Sequence, residues 1–370
     1  MGSTSIIVYE HPAVADPAAL PRGFVLKPIG KKMVLGVSHE KLIVVDGKQA
    51  FCGGMELMNV YKDSSPKHKG TRHDVHALIT GPAVKQFERH FVRHWRQAMT
   101  QRRTVKYTPA VKDLPDPRDH FDPDEQRHAV QVASTRSIAA AAIPFYQTKE
   151  RGIYDAYLDA VSRAKRYIYI ENQYFRDKGL AHAIVQRLGA ERNLRVILVL
   201  PVRPEETKSM ATDHAVAVQK ETLDVLAAGG KGRIGVFSLR VPNGFIYVHA
   251  KVMLVDDKWL TIGTANTDPR SFLIDDEINL VVRDDELAKK LRLRLWEEHF
   301  QPNEALRKKL AGDPATFLDL WNNAAKAKKS GKHAPRIELH KALAGQKLPF
   351  PELFDQFVWL DVRTGHDRVA

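Results

Sequence analysis

HEKLIVVDGKQAFCGG, residues 39 to 54, returns as HAKVMLVDDKWLTIGT, residues 249 to 264, with His, Lys, Val, Asp, Lys and Gly at the same offsets. The likeness resumes farther on, where Asp74-Val-His-Ala-Leu-Ile matches Glu277-Ile-Asn-Leu-Val-Val, an acid opening an alternating strand in each case. A single His-x-Lys-x4-Asp is a weak signal. Two copies, each followed by glycine at the same distance, mark an internal duplication.

In a strand, side chains two apart share a face, so His39 points with Lys41 and His249 with Lys251. A phosphodiester is an anion that resists attack. A site that cleaves it needs cations for its oxygens and a nucleophile that is not repelled, and lysine and neutral imidazole meet those needs. One histidine attacks phosphorus while the other protonates the leaving alcohol and then serves as base toward water or an acceptor alcohol. A phosphohistidine intermediate follows, and no metal or other cofactor is called for. Asp74 and Glu277 are the candidates for orienting the two imidazoles. Thr264 and Asn266 follow Gly263 and can bond a phosphate oxygen. Asp46 and Asp256 fall at strand ends and read as structural anchors.

The 370 residues hold 44% hydrophobic content, enough for a substantial core, and 57 basic against 44 acidic residues leave a net charge of +13. That excess suits anionic partners: phosphate diesters, acidic lipid surfaces or nucleic acid. The single cysteine, Cys52, excludes an intramolecular disulfide and a cysteine zinc cluster. No run has the apolar length of a membrane span, and MGSTSIIVYEHPAVADP lacks the basic and apolar blocks of a signal peptide. As given, the chain reads as soluble, cytoplasmic or, if a natural start is missing, exported.

The pattern predicts α/β architecture, in two similar units that each carry a mostly parallel sheet flanked by helices. Residues 1–100 form the first, with strands at Ile6 to Tyr9, Phe24 to Leu26, Lys41 to Asp46 and Asp74 to Thr80, then a helix over 82–100 with Val84, Phe87, Phe91 and Trp95 on one stripe. Residues 101–127, rich in proline and charge, are the linker. Residues 128–300 form the second unit, with strands at Ala129 to Ala133, Tyr167 to Ile170, Arg195 to Leu200, Gly235 to Ser238, Val248 to Val255, Leu260 to Ile262 and Ile278 to Val282. Its helices run over Ile153 to Ala164, Leu180 to Leu188 and Thr212 to Ala228. Residues 301–370 are a partly helical extension with a solvated basic run at Ala325 to His333.

SHEKLIVVDGKQAFCGGMEL, RHDVHALITGPAV, YIYIENQYF and YVHAKVMLVDDKWLTIGTANTDPRSFLIDDEINL together resemble the phospholipase D superfamily, over roughly residues 5 to 300. The resemblance is to bacterial phospholipase D-like enzymes and implies a metal-independent phosphatidyltransferase or phospholipase. His39 and His249 would pair between two lobes, with His39 as nucleophile and His249 as acid and base, the reverse assignment being equally allowed. Its partners would be a phospholipid and an alcohol or water acceptor, with peripheral contact to an anionic membrane surface. The second motif has Thr264 where serine is usual, and the first has Gly54 and Glu56 in place of serine and asparagine, which suits lipid-cleaving members. Only 38 residues precede His39, so the first lobe reads as truncated.

Other polar residues have plainer readings beside functional ones. His90 and His94, at i, i+4, read as a polar helix face. His76 either lines the site or packs. Glu171, Asn172 and Gln173 end a strand where ligands gather in open sheets, with substrate contact by Asn172 set against capping. Two other functions compete with the lipid enzyme: a nuclease-type phosphodiesterase, and a catalytically impaired fragment that binds anionic lipid or nucleic acid.

Overall fold

A computed structural model of the chain describes residues 26–29, 32–35, 38–56, 72–100, 128–136, 150–202, 210–241, 244–327 and 335–340. The expected strand at Ile6 to Tyr9, the start of the Phe24 to Leu26 strand, the 101–127 linker and most of the basic run at Ala325 to His333 lie outside these residues.

Strand β1 (Leu26–Ile29) pairs antiparallel with β2 (Lys32–Leu35). The first motif then builds β3 (Leu42–Val45), β4 (Gln49–Gly53), β5 (Arg72–His73), β6 (His76–Thr80) and helix α1 (Val84–Thr100). β3, β4 and β6 make a three-stranded antiparallel sheet. Asp46 and Gly47, at φ of 51° and 65°, form the tight turn between β3 and β4. Both central residues at positive φ match the twist of the paired strands.

The longer stretch continues with β7 (Ala129–Thr135), α2 (Gly152–Arg163), β8 (Tyr167–Asn172), α3 (Lys178–Ala190), β9 (Arg195–Val199), α4 (Met210–Gly230) and β10 (Ile234–Val241). Next come β11 (Gly244–Val248), β12 (Lys251–Val255), β13 (Trp259–Gly263), α5 (Pro269–Leu273), β14 (Glu277–Arg283) and α6 (Asp285–Phe300). Helices α7 (Glu304–Leu310) and α8 (Phe317–Lys326) and strand β15 (Ile337–Leu339) follow. The sheet runs β5-β11-β10-β9-β8-β12-β13-β14-β7, with β15 also on β10.

The α/β class holds, but the mostly parallel sheet expected from the sequence is a mixed one. Only β8, β9 and β10, joined through helices, and the β5–β11 pair run parallel. β12, β13 and β14 are antiparallel neighbours: the turn at 256–258 between β12 and β13 is too short for the crossover a parallel neighbour needs, and α5 lies in the longer connection between β13 and β14. The expected single strand over Val248 to Val255 is broken at His249 and Ala250 into β11 and β12. That break places the motif histidine at a sheet opening.

Two apolar clusters hold the layers. One joins α2, α3 and α4 to one face of the large sheet, through Tyr157, Ile170, Ile184, Leu226 and Met253. The other joins both sheets: Ala50, Cys52 and Ile79 of the first-motif sheet pack in one cluster with Leu260, Ile262 and Leu280, and with Trp296 and Trp321. Phe317 and Trp321 are fully buried, so α8 completes this core.

The stripe expected on α1 is rotated. Val84 and Phe87 are buried, but Phe91 is exposed and His90 and His94 turn inward. The cause is Glu40, which alternates with His39 and Lys41 and so faces the interior. A buried carboxylate needs donors, and His90 Nε2 and His94 Nδ1 approach it at 2.6 and 3.0 Å. These histidines are therefore a buried network and not the polar helix face read from the sequence. Among the described residues no helix is long and apolar enough to cross a membrane.

Candidate active site

β5 belongs to the first-motif stretch yet adds to the edge of the large sheet, pairing Arg72 with Tyr247 and His73 with Val248. Ser38 in turn bridges to Asp276, and the His39 amide donates to the Asp276 carbonyl at 3.0 Å. Each motif therefore starts against a strand end of the other, and the acids are exchanged. His39 Nδ1 lies 2.9 and 3.1 Å from the two oxygens of Glu277, and His249 Nδ1 lies 2.8 Å from Asp74 Oδ2. With Nδ1 donating to a carboxylate, each ring presents Nε2 as its reacting nitrogen.

The carboxylates are held differently. Thr264 and Ser271 hydroxyls donate to Glu277 at 2.5 and 2.6 Å. Asp74 accepts from the Val75 amide at 2.8 Å, and a Cβ at Gly54 would collide with its carboxylate. Glycine at 54 is what lets the shorter acid come close. Gly263 has a related task, since a Cβ there would meet the Asn279 side chain that accepts from the Thr264 amide.

Lys41 and Lys251 each turn back onto the carbonyl of their own motif histidine, at 2.9 and 2.5 Å. Lys251 also donates to Gln173 Oε1 at 3.2 Å. Glu56 sits 3.5 Å from Lys41 and 3.6 Å from Arg72. Burial would raise the Glu56 carboxyl, but Lys41, His249, Arg72 and His39 together pull it below the usual range, so all four lie within its electrostatic reach.

Burial, with Lys251, Arg72 and Lys41 close by, depresses the basicity of His249 and leaves it neutral. Burial raises the Asp74 carboxyl to about 6, against the pull of Lys251. Burial also lowers the Lys251 ammonium to about 7, opposed by Asp74 and reinforced by Lys41. Two lysines beside two imidazoles make a site that an anion stabilises, because the anion offsets the charge repulsion.

Other sequence candidates take structural places. Asn172 is buried; its Oδ1 accepts the Tyr174 and Thr267 amides and its Nδ2 reaches the Ala265 carbonyl at 3.5 Å. It shapes the loop after Gly263, where the sequence had offered substrate contact. Asp256 accepts the amides of Lys165, Arg166 and Tyr167 at 2.7 to 2.8 Å. Asp46 stands in its turn at positive φ. Asn266 is buried beside Thr264, and its Oδ1 has no hydrogen-bond partner among the described residues. His76 is partly buried in β6, behind Asp74.

Sequence reading missed Arg72 and Ser271. Arg72 lies two residues before Asp74, and its guanidinium stands 5.6 Å from the Tyr247 ring centroid. Tyr247 in turn lies beside His249, with ring centroids 6.4 Å apart. The alternation in Arg72-His73-Asp74 carried the signal for Arg72; nothing local pointed to Ser271. Two groups with metal-ligating side chains also occur among the described residues, Glu40–His90–His94 and His73–Glu171–His299. In both, the imidazoles hydrogen-bond the carboxylate directly.

A family model described as "Cardiolipin synthase, PLD-like domain" matches residues 157–298, and one described as "Phospholipase D" matches residues 47–178. A cardiolipin synthase of Staphylococcus aureus is 30% identical over 260 residues, 69% of this chain and 45% of the relative. The major cardiolipin synthase ClsA of Bacillus subtilis is 31% identical over 274 residues, 72% of this chain and 48% of the relative. The chain thus spans about half the length of the curated relatives it matches. Among solved structures, phosphatidylserine synthase of Haemophilus influenzae aligns with 90% of this chain and 70% of its own, at 14% identity and a TM-score of 0.49. The phospholipase D family member Nuc of Salmonella typhimurium aligns with 47% of this chain and 95% of its own, at 18% identity and a TM-score of 0.34. With two family models of this kind that together match residues 47–298, and curated relatives about 30% identical over more than two thirds of this chain, the chain belongs to the phospholipase D superfamily.

Proposed function

We propose that the chain is a phospholipase D-type phosphatidyltransferase, which moves the phosphatidyl group of a phospholipid to an alcohol, with water as the competing acceptor. The observation that carries this reading is the exchange of acids, His39 on Glu277 and His249 on Asp74, which gives two oriented imidazoles beside two lysines. The names of the cardiolipin synthase relatives support a lipid substrate and an alcohol acceptor. The two units, residues 1–100 and 128–300 joined by 101–127, would each supply one motif.

His39 Nε2 attacks phosphorus, the P–O bond to the head-group alcohol breaks, and His249, protonated at Nε2 once the bound phosphate anion offsets the charge of Lys41 and Lys251, supplies the proton to that oxygen. His249 then takes the proton of the incoming alcohol, whose oxygen displaces His39. Lys41 and Lys251 bear the negative charge that accumulates on the phosphoryl oxygens. The reverse casting has its own support: His249 is held neutral, as a nucleophile must be, with its Nδ1 proton on Asp74.

Radiolabelled phosphatidylcholine or phosphatidylglycerol with ethanol should yield phosphatidylethanol, and His39→Ala and His249→Ala should each abolish it. No lipid turnover by folded protein would sink the assignment. A diester with a nitrophenol leaving group separates the two castings, because an activated leaving group needs no acid. The variant lacking the acid keeps its first step and accumulates phosphohistidine, whereas the variant lacking the nucleophile does nothing. Nuclease activity with inert lipids would move the substrate to nucleic acid.

A further inference from the structure

His249 is placed by a segment that holds the large sheet through two residues. Among the described residues β5 pairs Arg72 and His73 with β11. The carbonyl of His73 accepts both the His249 amide, at 2.8 Å, and the Ala250 amide, at 3.1 Å. The next residue, Asp74, holds the His249 ring. Backbone bonds contribute little net stability each, so a ladder this short is a loose mount for a group that must be held within about 0.5 Å.

The side chain of His73 supplies the missing attachment. Its Nε2 lies 2.6 Å from Glu171 Oε2, at the end of β8 in the middle of the sheet. His299 Nε2 of α6 lies 2.8 Å from the other carboxylate oxygen, and the Tyr169 hydroxyl donates to that same oxygen. Glu298 of α6 faces His73 Nδ1 at 3.3 Å. Those four residues are the titratable groups around Glu171 among the described residues, and Glu171 itself is fully buried. An ionised carboxylate in such a place is retained only when its partners are complete, and removing one leaves the other charge stranded. Against a burial that would lower it, Glu171 pushes the His73 imidazole up to about 10, so the pair stays ionic through the neutral range.

We infer that Glu171 is a positioning residue for the phosphoryl transfer: by clamping His73 it seats β5, and through the His73 carbonyl and the Asp74 carboxylate it sets the His249 ring. Neither motif contains it, and neither motif contains His73. The inference rests on the transferase reading above, so one of its two tests uses no turnover.

The first test is histidine-labelled NMR of the full chain. In the wild type His73 stays protonated beyond pH 9, and the His249 Nδ1 proton appears in the strong hydrogen bond to Asp74. In Glu171→Gln, which keeps the shape and removes the charge, His73 should titrate more than two pH units lower and the His249 signals should move. The second test is kinetics on a soluble nitrophenyl diester and on lipid. Glu171→Gln should lose about 100-fold in kcat, as misplaced catalytic groups do, with KM changed less than about threefold. Glu171→Asp should recover part of that loss. Should Glu171→Gln fail to fold, His73→Gln carries the His249 signals of the NMR test and the same kinetics. Unmoved His249 signals in a folded variant overturn the clamp whatever the activity. Activity that falls only with the folded fraction, with no shift in the pH profile, also overturns it. A wild type that turns over neither substrate refutes the transferase reading, while the NMR result still decides the clamp.

Discussion

Across the first-motif sheet Ile43, Phe51 and Leu78 stand in one cross-strand row, and across the second-motif sheet Met253, Thr261 and Val281 stand in the same row. Met253 and Val281 are buried in one core with Ile153, Tyr157 and Ala160 of α2. Ile43 and Leu78 are 49% and 56% exposed. The alternation of apolar residues is nearly the same in both sheets; the covering layer differs. Strand pattern thus reports what a sheet face can bury, and the neighbouring helix decides whether it does. The acids show a second divergence. Glu277 is long and gripped by two hydroxyls, whereas Asp74 is short and admitted by the bare Cα of Gly54.

Exchanging the residues after the motif glycines would break this comparison most sharply. Gly54→Thr copies Thr264 into the first sheet, where its Cβ collides with the Asp74 carboxylate. We expect a loss of about 10³-fold in kcat/KM, since His249 loses its orienting acid. Thr264→Gly merely removes one donor from Glu277 and should cost about tenfold. Equal effects would mean that the two acids are held alike. On the sheet faces, Met253→Lys buries an unpaired charge and should destabilise by about 4 kcal/mol in denaturant titration.

The free-enzyme pH profile sharpens the picture of the second acid–base pair. Asp74 must be ionised to hold His249, and its raised pKa makes activity fall as pH drops through about 6. Lys251 must be charged, and its lowered pKa makes activity fall as pH rises through about 7. A narrow bell in kcat/KM is expected, and Asp74→Asn should remove its acid limb along with most of the rate. The smallest effect is on the open face, where Leu78→Lys should stay within about 0.5 kcal/mol of wild type. A large loss there would mean that the row is covered.

The repeated motif made the candidate histidines, lysines and acids of the site legible, because the proposed chemistry demands two of each and the spacing supplies them. Which acid serves which histidine was not legible. His39 and Glu277 are 238 residues apart, and only the docking of the two sheets crosses them over. Strand direction was equally hidden, since a period of two is the same in parallel and antiparallel neighbours. The α1 stripe misled because a helix with apolar residues on several faces is turned by its strongest demand, here the Glu40 carboxylate seeking His90 and His94. Glu171 read as a substrate contact or a cap at a strand end; its partners come from segments 98 and 128 residues away.

The crossing of the dyads makes the site behave as a logical AND. A ribosome that has released only the first motif has made an imidazole whose acid does not yet exist, and a proteolytic cut between the motifs leaves two inert pieces. A chain with the proposed activity is therefore silent until its parts have met. The same wiring suggests a split reporter: the two motif regions, expressed as separate chains, would turn over substrate only where something brings them together.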